Sequence, residues 1–278
     1  MEIKFIATDV DGTLVMDDHM TIPQVNIDAI KQAKKEGIIT AISTGRTKVA
    51  TIEASKALGG VDYLVLSNGA VIMDGKTDEI IYSNYFPTDT IEKVINIIEK
   101  YPIIYEIYAD GKGYVNQYTN DNYFDIKALP YDFLVEYIKI LETTDDVLEL
   151  VRSHNVEKIN INQVPKEYIE SVTAELKDIP SLVFSAGFDG NMEIVVKGSD
   201  KGSAIKRIVD KLNIQPESIM AFGDSLNDAT MLKYAGVSYA LLSGKDAAKN
   251  AAKNITKVGN NEGGVGLAIK EYLTNSPK

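Results

Sequence analysis

The 278-residue sequence predicts an α/β fold, a doubly wound parallel sheet covered by helices, with an α+β segment inserted into it. Three observations carry that prediction. Short apolar runs alternate with amphipathic helical stretches in the first and last thirds of the chain. The stretch between them is richer in tyrosine and does not keep the alternation. Several of the apolar runs end in polar clusters of aspartate, threonine and glycine.

Ile3–Thr8 is a short apolar run that ends at Asp9-Val-Asp-Gly-Thr13. Thr21-Ile-Pro23 then opens a helix, because proline suits a first turn whose N–H has no helical partner. Val25, Ala29, Ile30 and Ala33 recur on one face of it. Gly37 ends this helix, and Ile38–Ile42 forms a second strand leading to Ser43-Thr-Gly-Arg46 and a helix to about Leu58. A third strand, Tyr63–Leu66, runs into Ser67-Asn-Gly-Ala70. A β-α-β-α-β order of this kind implies parallel strands with crossover helices. Residues 71–82 read as a hairpin around Asp74-Gly75.

The middle stretch reads as a helix at 90–101, strands at 103–109 and 114–117 around Asp110-Gly111, and further segments at 146–153, 158–161, 166–177 and 182–184. A strand at 193–196 marks the return of the alternation. An amphipathic helix at 201–212 follows, with Ile205, Ile208 and Leu212 on one face. The strand at 218–222 enters Gly223-Asp-Ser-Leu-Asn-Asp228; a helix, a strand at 237–241, an alanine-rich surface helix at 246–253 and a glycine-rich loop complete the chain. The expected division is a core of 1–83 and 188–278 with an inserted domain of 84–187.

Composition narrows the function classes. The chain is 45% apolar and 25% charged, enough for a packed core. It has no cysteine, so any metal site uses oxygen or imidazole ligands. His19 and His154 are far apart and outside any His-Glu-x-x-His pattern, which argues against a zinc protease. A net charge of −11 excludes a basic nucleic-acid footprint. No apolar run approaches ~18 residues and no basic leader precedes the first strand, so a cytoplasmic protein without membrane partners is expected.

The chemistry gathers at strand ends. In open parallel sheets, ligands bind beyond the carboxyl ends of the strands. Asp9 and Asp11, Thr44, and Asp224 with Asp228 fall there. Carboxylates so crowded repel one another, and a divalent cation relieves this. Mg²⁺ suits an all-oxygen set. Asp9 and Asp224 are the expected side-chain ligands, with Asp11 contributing its carbonyl. A carboxylate can attack phosphorus if fixed positive charge and donors meet the phosphoryl oxygens. Lys201 is the expected cation, with Lys197 its rival, and Thr44 and the Gly45 amide are expected donors. Asp11 is placed to serve as general acid and then base. Asn68 and Gly69 read as a turn, and Arg46 as the partner of a nearby carboxylate.

Asp9-Val-Asp-Gly-Thr-Leu14, Ser43-Thr-Gly-Arg46, the lysine of Asp200-Lys-Gly-Ser-Ala204 and Gly223-Asp-Ser-Leu-Asn-Asp228 resemble the four motifs of the haloacid dehalogenase superfamily. Their order is similar to that of its Cof-type phosphatases, which carry a large C2B-type cap. The resemblance spans the chain. It implies a Rossmannoid core with an α+β cap that sets specificity, with Asp9 as nucleophile and Asp11 as acid/base. It also implies Mg²⁺ on Asp9, the Asp11 carbonyl and Asp224, with Asp228 close by. The implied phosphate contacts are the amide of Val10, Thr44, Gly45, Lys201 and Asn227, with Arg46 in support. Such proteins often carry an Asn-Ala pair where this chain has Leu242-Ser-Gly-Lys245. The expected substrate is a small phosphorylated metabolite such as a sugar phosphate or cofactor phosphate, handled by a monomer or homodimer. A phosphomutase on the same site and a phospho-ligand sensor without turnover are the alternatives.

Overall fold

The computed structural model describes residues 2–185 and 191–275. The chain begins with β1 (Phe5–Thr8), a helix at Gln24–Lys35, β2 (Ile39–Ser43), a helix at Lys48–Ala57, β3 (Tyr63–Leu66), β4 (Val71–Asp74) and β5 (Ile80–Ser83). It continues through β6 (Ile104–Ala109), β7 (Lys112–Asn116), β8 (Leu141–Thr144), β9 (Val156–Gln163), β10 (Leu182–Ser185) and β11 (Met192–Val196). It ends with a helix at Lys201–Lys211, β12 (Ile219–Gly223), β13 (Val237–Ala240), β14 (Asn254–Ile255) and a last helix at Gly264–Asn275. No helix among the described residues is long and apolar enough to cross a membrane.

The chain divides into two compact units. The first runs up to Arg46, then takes Thr51–Tyr82 and everything from Asp200. The second comprises Thr47–Ala50 and Ser83–Ser199.

In the first unit, eight strands form one sheet in the order β14-β13-β12-β1-β2-β3-β4-β5. From β14 to β3 the neighbours are parallel, and β4 turns back antiparallel to β3. β1 and β12 are buried throughout because helices cover both faces, which is why they read as unbroken apolar runs. The helix Lys201–Lys211 lays Ile205, Ile208 and Val209 against Phe5, Ala7 and Ala221. The register sets up the site: Thr8 pairs with Ile42 on one side and Phe222 on the other. The residues that follow each strand therefore emerge together at one edge of the sheet, where the strand order reverses about β1.

The second unit holds a six-stranded sheet in the order β10-β11-β9-β6-β7-β8. One face is apolar: Tyr105, Ile107, Ile159, Ile161 and Ile194 pack with residues of the helices at Thr88–Ile98, Val147–Ser153 and Ile169–Lys177. The alternate positions on β6, β9 and β11, among them Glu106, Tyr108, Lys158, Asn160 and Glu193, point to the opposite face.

One expectation changes here. The expected division between 187 and 188 lies outside the described residues. The strand that follows them, expected to resume the first sheet, pairs antiparallel with β9 and β10 instead. Its Met-Glu-Ile-Val-Val sequence suits either sheet; pairing with its neighbours in the chain decides. The short helices at Gln117–Asn122 and Tyr131–Tyr137 and strand β8 were not foreseen, since one or two turns are too short to show a period.

One close approach anchors the helix that carries Lys201. Asp200 caps it, its Oδ1 accepting from the Ser203 amide at 2.9 Å. Gly69, at φ +91°, lies so near that a Cβ there would sit 2.4 Å from the Asp200 carbonyl oxygen. Gly69→Ala is expected to lower the free energy of unfolding by about 2 kcal/mol or more, from left-handed strain plus this overlap. Urea denaturation checks it, and a variant as stable as the parent would show that the approach is not a constraint.

Candidate active site

β1 ends at Thr8, and the next residues turn sharply. The Val10 carbonyl accepts from the amides of Thr13, Leu14 and Val15. Gly12 makes the turn possible at φ +70°; a Cβ on it would lie 2.6 Å from Asp224 Oδ2. The Asp9 amide donates to the Phe222 carbonyl at 3.0 Å, which ties the end of β1 to β12. Asp224 follows β12 directly, and its Oδ1 accepts from the Thr13 hydroxyl at 2.9 Å.

Lys201 joins the cluster from the first position of its helix. Its Nζ lies 2.8 Å from Asp9 Oδ1 and 2.7 Å from Asp228 Oδ1. Lys201 and Asp228 are wholly buried, and Asp9 is nearly so. The other oxygen of Asp228 accepts from the amides of Asp224 and Ser225, at 2.9 and 3.0 Å. Asp228 thus braces the loop after β12 while holding the lysine. Asp9, Asp224 and Asp228 each offer one carboxylate oxygen, all within 4.8 Å of one another.

The electrostatics follow. Burial, reinforced by the Asp228 charge, pushes the Asp9 carboxyl well above the usual carboxylate range, against the pull of Lys201. Asp224 is pushed up to about 7, again by burial and then by Asp228. Burial alone would discharge Lys201, but Asp228 and Asp9 outweigh it and raise the ammonium above its ordinary value. A hard divalent cation fits this set: the donors are all oxygen, and the raised carboxyl values mark charge that Lys201 does not neutralise.

Asp11 is engaged differently. Arg46 grips its carboxylate through Nε at 2.8 Å and Nη2 at 2.6 Å, and Nη2 also donates to the His19 carbonyl. His19 Nδ1 lies 2.7 Å from the same carboxylate. Burial works to raise this carboxyl, but Arg46 and His19 prevail and hold it far below the usual range.

Thr44 is fully buried after β2; its amide donates to the Val65 carbonyl at 2.8 Å, and its hydroxyl accepts from the Arg46 amide at 3.1 Å. Gly45 lies in the bend after it, not in a helical first turn, because the next helix begins at Lys48 with Thr47 accepting from the Ala50 amide. Asn227 donates to Asn68 Oδ1 at 3.2 Å and stands near Ser225, whose hydroxyl donates to its Oδ1 at 2.7 Å.

Asp9, Lys201, Asp224 and Asp228 therefore come together, with Asp11 and Arg46 paired beside them. Lys197 is an exposed residue of the second unit. Asn68, read from sequence as a turn residue, adopts φ 56° and reaches Asn227. Thr13 and His19 are not expected at the site from the sequence, yet they contact Asp224 and Asp11. Thr13 had a signal in its place within the Asp-Gly-Thr motif. His19 had none, since it turns toward Asp11 only through a left-handed backbone at φ 58°. The stretch in place of the Asn-Ala pair supports the site through its backbone: the Lys245 amide donates to the Asp224 carbonyl at 2.7 Å.

Known proteins resemble this chain along its whole length. It is 28% identical over 273 residues to the 5-amino-6-(5-phospho-D-ribitylamino)uracil phosphatase YcsE of Bacillus subtilis, covering 98% of this chain and 97% of that protein. It is 27% identical to the phosphatase YwpJ of Bacillus subtilis, covering 98% of this chain and all of that protein. Among solved structures, a haloacid dehalogenase-like hydrolase from B. subtilis superposes with a TM-score of 0.85 at 27% identity, over 96% of this chain and 99% of that one. The sugar phosphatase BT4131, of HAD subclass IIB, gives 0.80 at 27%, over 97% and 98%. A family described as haloacid dehalogenase-like hydrolase matches residues 6–269, and the chain belongs to that family.

Proposed function

We propose that this hydrolase removes the phosphoryl group from small phosphorylated metabolites, sugar phosphates or cofactor phosphates, using Mg²⁺ and an aspartyl-phosphate formed on Asp9. The observation that carries this reading is the buried cluster in which Lys201 bridges Asp9 and Asp228 while Asp9, Asp224 and Asp228 converge within 4.8 Å. Asp9, the Asp11 carbonyl and Asp224 would hold the metal, with Asp228 beside them. When bound, Mg²⁺ supplies positive charge that offsets the phosphoryl oxygens.

The chain's own groups do the rest. The Lys201 ammonium, kept charged by its two carboxylates, presents a fixed cation to the phosphoryl group. The amides of Val10 and Gly45, the Thr44 hydroxyl and the Asn227 side chain donate to its oxygens. An Asp9 oxygen attacks phosphorus in line with the departing alkoxide, and Asp11 gives that alkoxide its proton. Asp11 then takes a proton from the water that cleaves the acyl phosphate, which restores Asp9. The pairing with Arg46 and His19 holds Asp11 ionised, which suits this second step, whereas the first step requires that Asp11 first take up a proton from solvent or from the substrate phosphate. The names of the relatives support the reaction class: one is a phosphatase of a ribitylamino-uracil phosphate and another a sugar phosphatase. A phosphomutase would return the phosphoryl group to the substrate, and a sensor would bind without turnover, so release of inorganic phosphate separates the three.

Three outcomes test the reading. Phosphate release from p-nitrophenyl phosphate or hexose phosphates should need Mg²⁺, stop in chelator, and fall about a thousandfold or more in Asp9→Asn; turnover indifferent to both would sink the proposal. Lys201→Met leaves two carboxylates buried without their ammonium, so it should abolish turnover and cost about 3 kcal/mol of stability in urea unfolding. The third outcome concerns pH. Asp9 and Asp224 keep their protons to higher pH in the fold than in the unfolded chain, so both favour the folded state below the ordinary value of 3.8; Asp224 loses that contribution as pH rises toward about 7, and Asp9 likewise loses its own as pH rises. The lowered Asp11 value acts in the opposite sense, but only below that interval. In chelator, the melting temperature should therefore fall between pH 5 and pH 7.5, and Mg²⁺ should raise it more at pH 7.5 than at pH 5. A smaller Mg²⁺ effect at the higher pH would contradict the assignment.

A further inference from the structure

The first unit contains a cleft that the reaction chemistry leaves unused. Its volume of about 500 Å³ suits a ligand of two or three fused rings. All of its lining belongs to that unit: β3, β4 and the terminal strand β5 on one side, and the last turns of the helix Lys201–Lys211 on the other. Lys211 ends the helix that Lys201 begins, so about 15 Å of helix axis separates it from the carboxylate cluster.

The lining combines apolar surface with unspent polar groups. Ile72 and Ile208 are buried and Ile81 is half-buried, all packed with the core around Phe5, Val65 and Ile205. Tyr63 and Tyr82 are half-buried beside them, and neither hydroxyl has a hydrogen-bond partner among the described residues. The Arg207 guanidinium lies over the Tyr82 ring, 4.1 Å from its centre. Stacking occupies its flat face and leaves its N–H edges free to donate. Neither Arg207 nor Lys211, one turn further on, has a carboxylate partner among the described residues. Asp210, which also lines the cleft, is taken by Lys206 at 2.5 Å.

We infer that this cleft binds a small organic anion, a planar aromatic body carrying a single acidic group. Arg207 and Lys211 stand four residues apart on one helix face, where like charges repel. In a chain of net charge −11 a carboxylate could easily stand between them, yet the adjacent Asp210 serves Lys206 instead. Lys211 alone would suit the C-terminal end of its helix, but Arg207, a turn earlier, has no such reason to be there. An anion between the two relieves the repulsion and accepts from both. The tyrosine rings and the isoleucines cover an aromatic body, and the free hydroxyls meet polar atoms at its rim. A cation would be repelled here, and an uncharged apolar molecule would leave the two positive charges unmatched. The site lies apart from Asp9 and its partners, so the inference does not rest on the phosphatase reading.

The test is a fluorescence titration of the whole chain with anilinonaphthalene sulfonate, a flat aromatic anion, and with phenylnaphthylamine, its uncharged counterpart. The sulfonate should saturate at one site per chain and bind about tenfold tighter than the amine. Arg207→Gln and Lys211→Gln should each weaken the sulfonate about fivefold and leave the amine unchanged. Both side chains are exposed, so these variants should fold as the parent does, which the urea midpoint checks. Lys270→Gln removes an exposed cation from the last helix and should change neither affinity. Mg²⁺ with inorganic phosphate should not displace the sulfonate; displacement would place the dye at the carboxylate cluster and overturn the inference. Equal affinity for the two dyes, an equal loss in Lys270→Gln, or no loss in the double variant Arg207→Gln/Lys211→Gln would show that no anion site is built here. A dimer in light scattering that Arg207→Glu disperses would also overturn it, because a second copy of the chain would then cover the cleft.

Discussion

The structure turns on a lysine placed where electrostatics oppose it. Lys201 stands at the first position of a helix, the end whose partial positive charge disfavours a cation, and it is fully buried. It is held there because Asp9 arrives from the end of β1 and Asp228 from the loop after β12. Each group would be too costly to bury alone. Their mutual dependence sets the rest of the local architecture: the glycines at 12 and 69 that let backbones close in, the Asp200 cap that aims the helix, and the parallel register that brings β1 and β12 to the same edge.

The balance is incomplete, and that is informative. Burial raises the carboxyl values of Asp9 and Asp224, the Asp228 charge adds to it, and one ammonium cannot offset both. Asp11, two residues from Asp9, shows the opposite behaviour because Arg46 meets it with two nitrogens and His19 with a third. Neighbouring carboxylates are thereby pushed apart in protonation, Asp9 toward the neutral form and Asp11 toward the ionised one. The second unit uses a different logic. Its buried network is dominated by hydroxyl and amide groups feeding Glu106, with an ion pair between Lys158 and Glu193. One unit concentrates charge, and the other sorts donors from acceptors.

What the sequence by itself determined is the part governed by local chemistry and strand order. The apolar runs ending in Asp9-Val-Asp-Gly, Ser-Thr-Gly-Arg46 and Gly-Asp-Ser-Leu-Asn-Asp228 located the strand ends, and the alternation of strand and helix implied that those ends face one crevice. Asp9 and Asp224 were legible because turn residues and chemistry-bearing residues coincide there, and Lys201 stood out from Lys197 mainly through the resemblance of its motif to a known family. Tertiary structure alone decided which side chains complete the cluster and which sheet Met192–Val196 joins. Thr13 on Asp224, His19 on Asp11 and Asn68 on Asn227 are pairings across 211, 8 and 159 residues, made by loops that no periodicity describes. The chain of hydrogen bonds from Glu106 through Asn162 to Asn160 was equally hidden, because β6 and β9 supply its members from positions 54 residues apart. The reason is the same in each case: a sequence pattern reports which face a residue takes within its own element, whereas hydrogen-bond partners depend on how distant elements are brought into register.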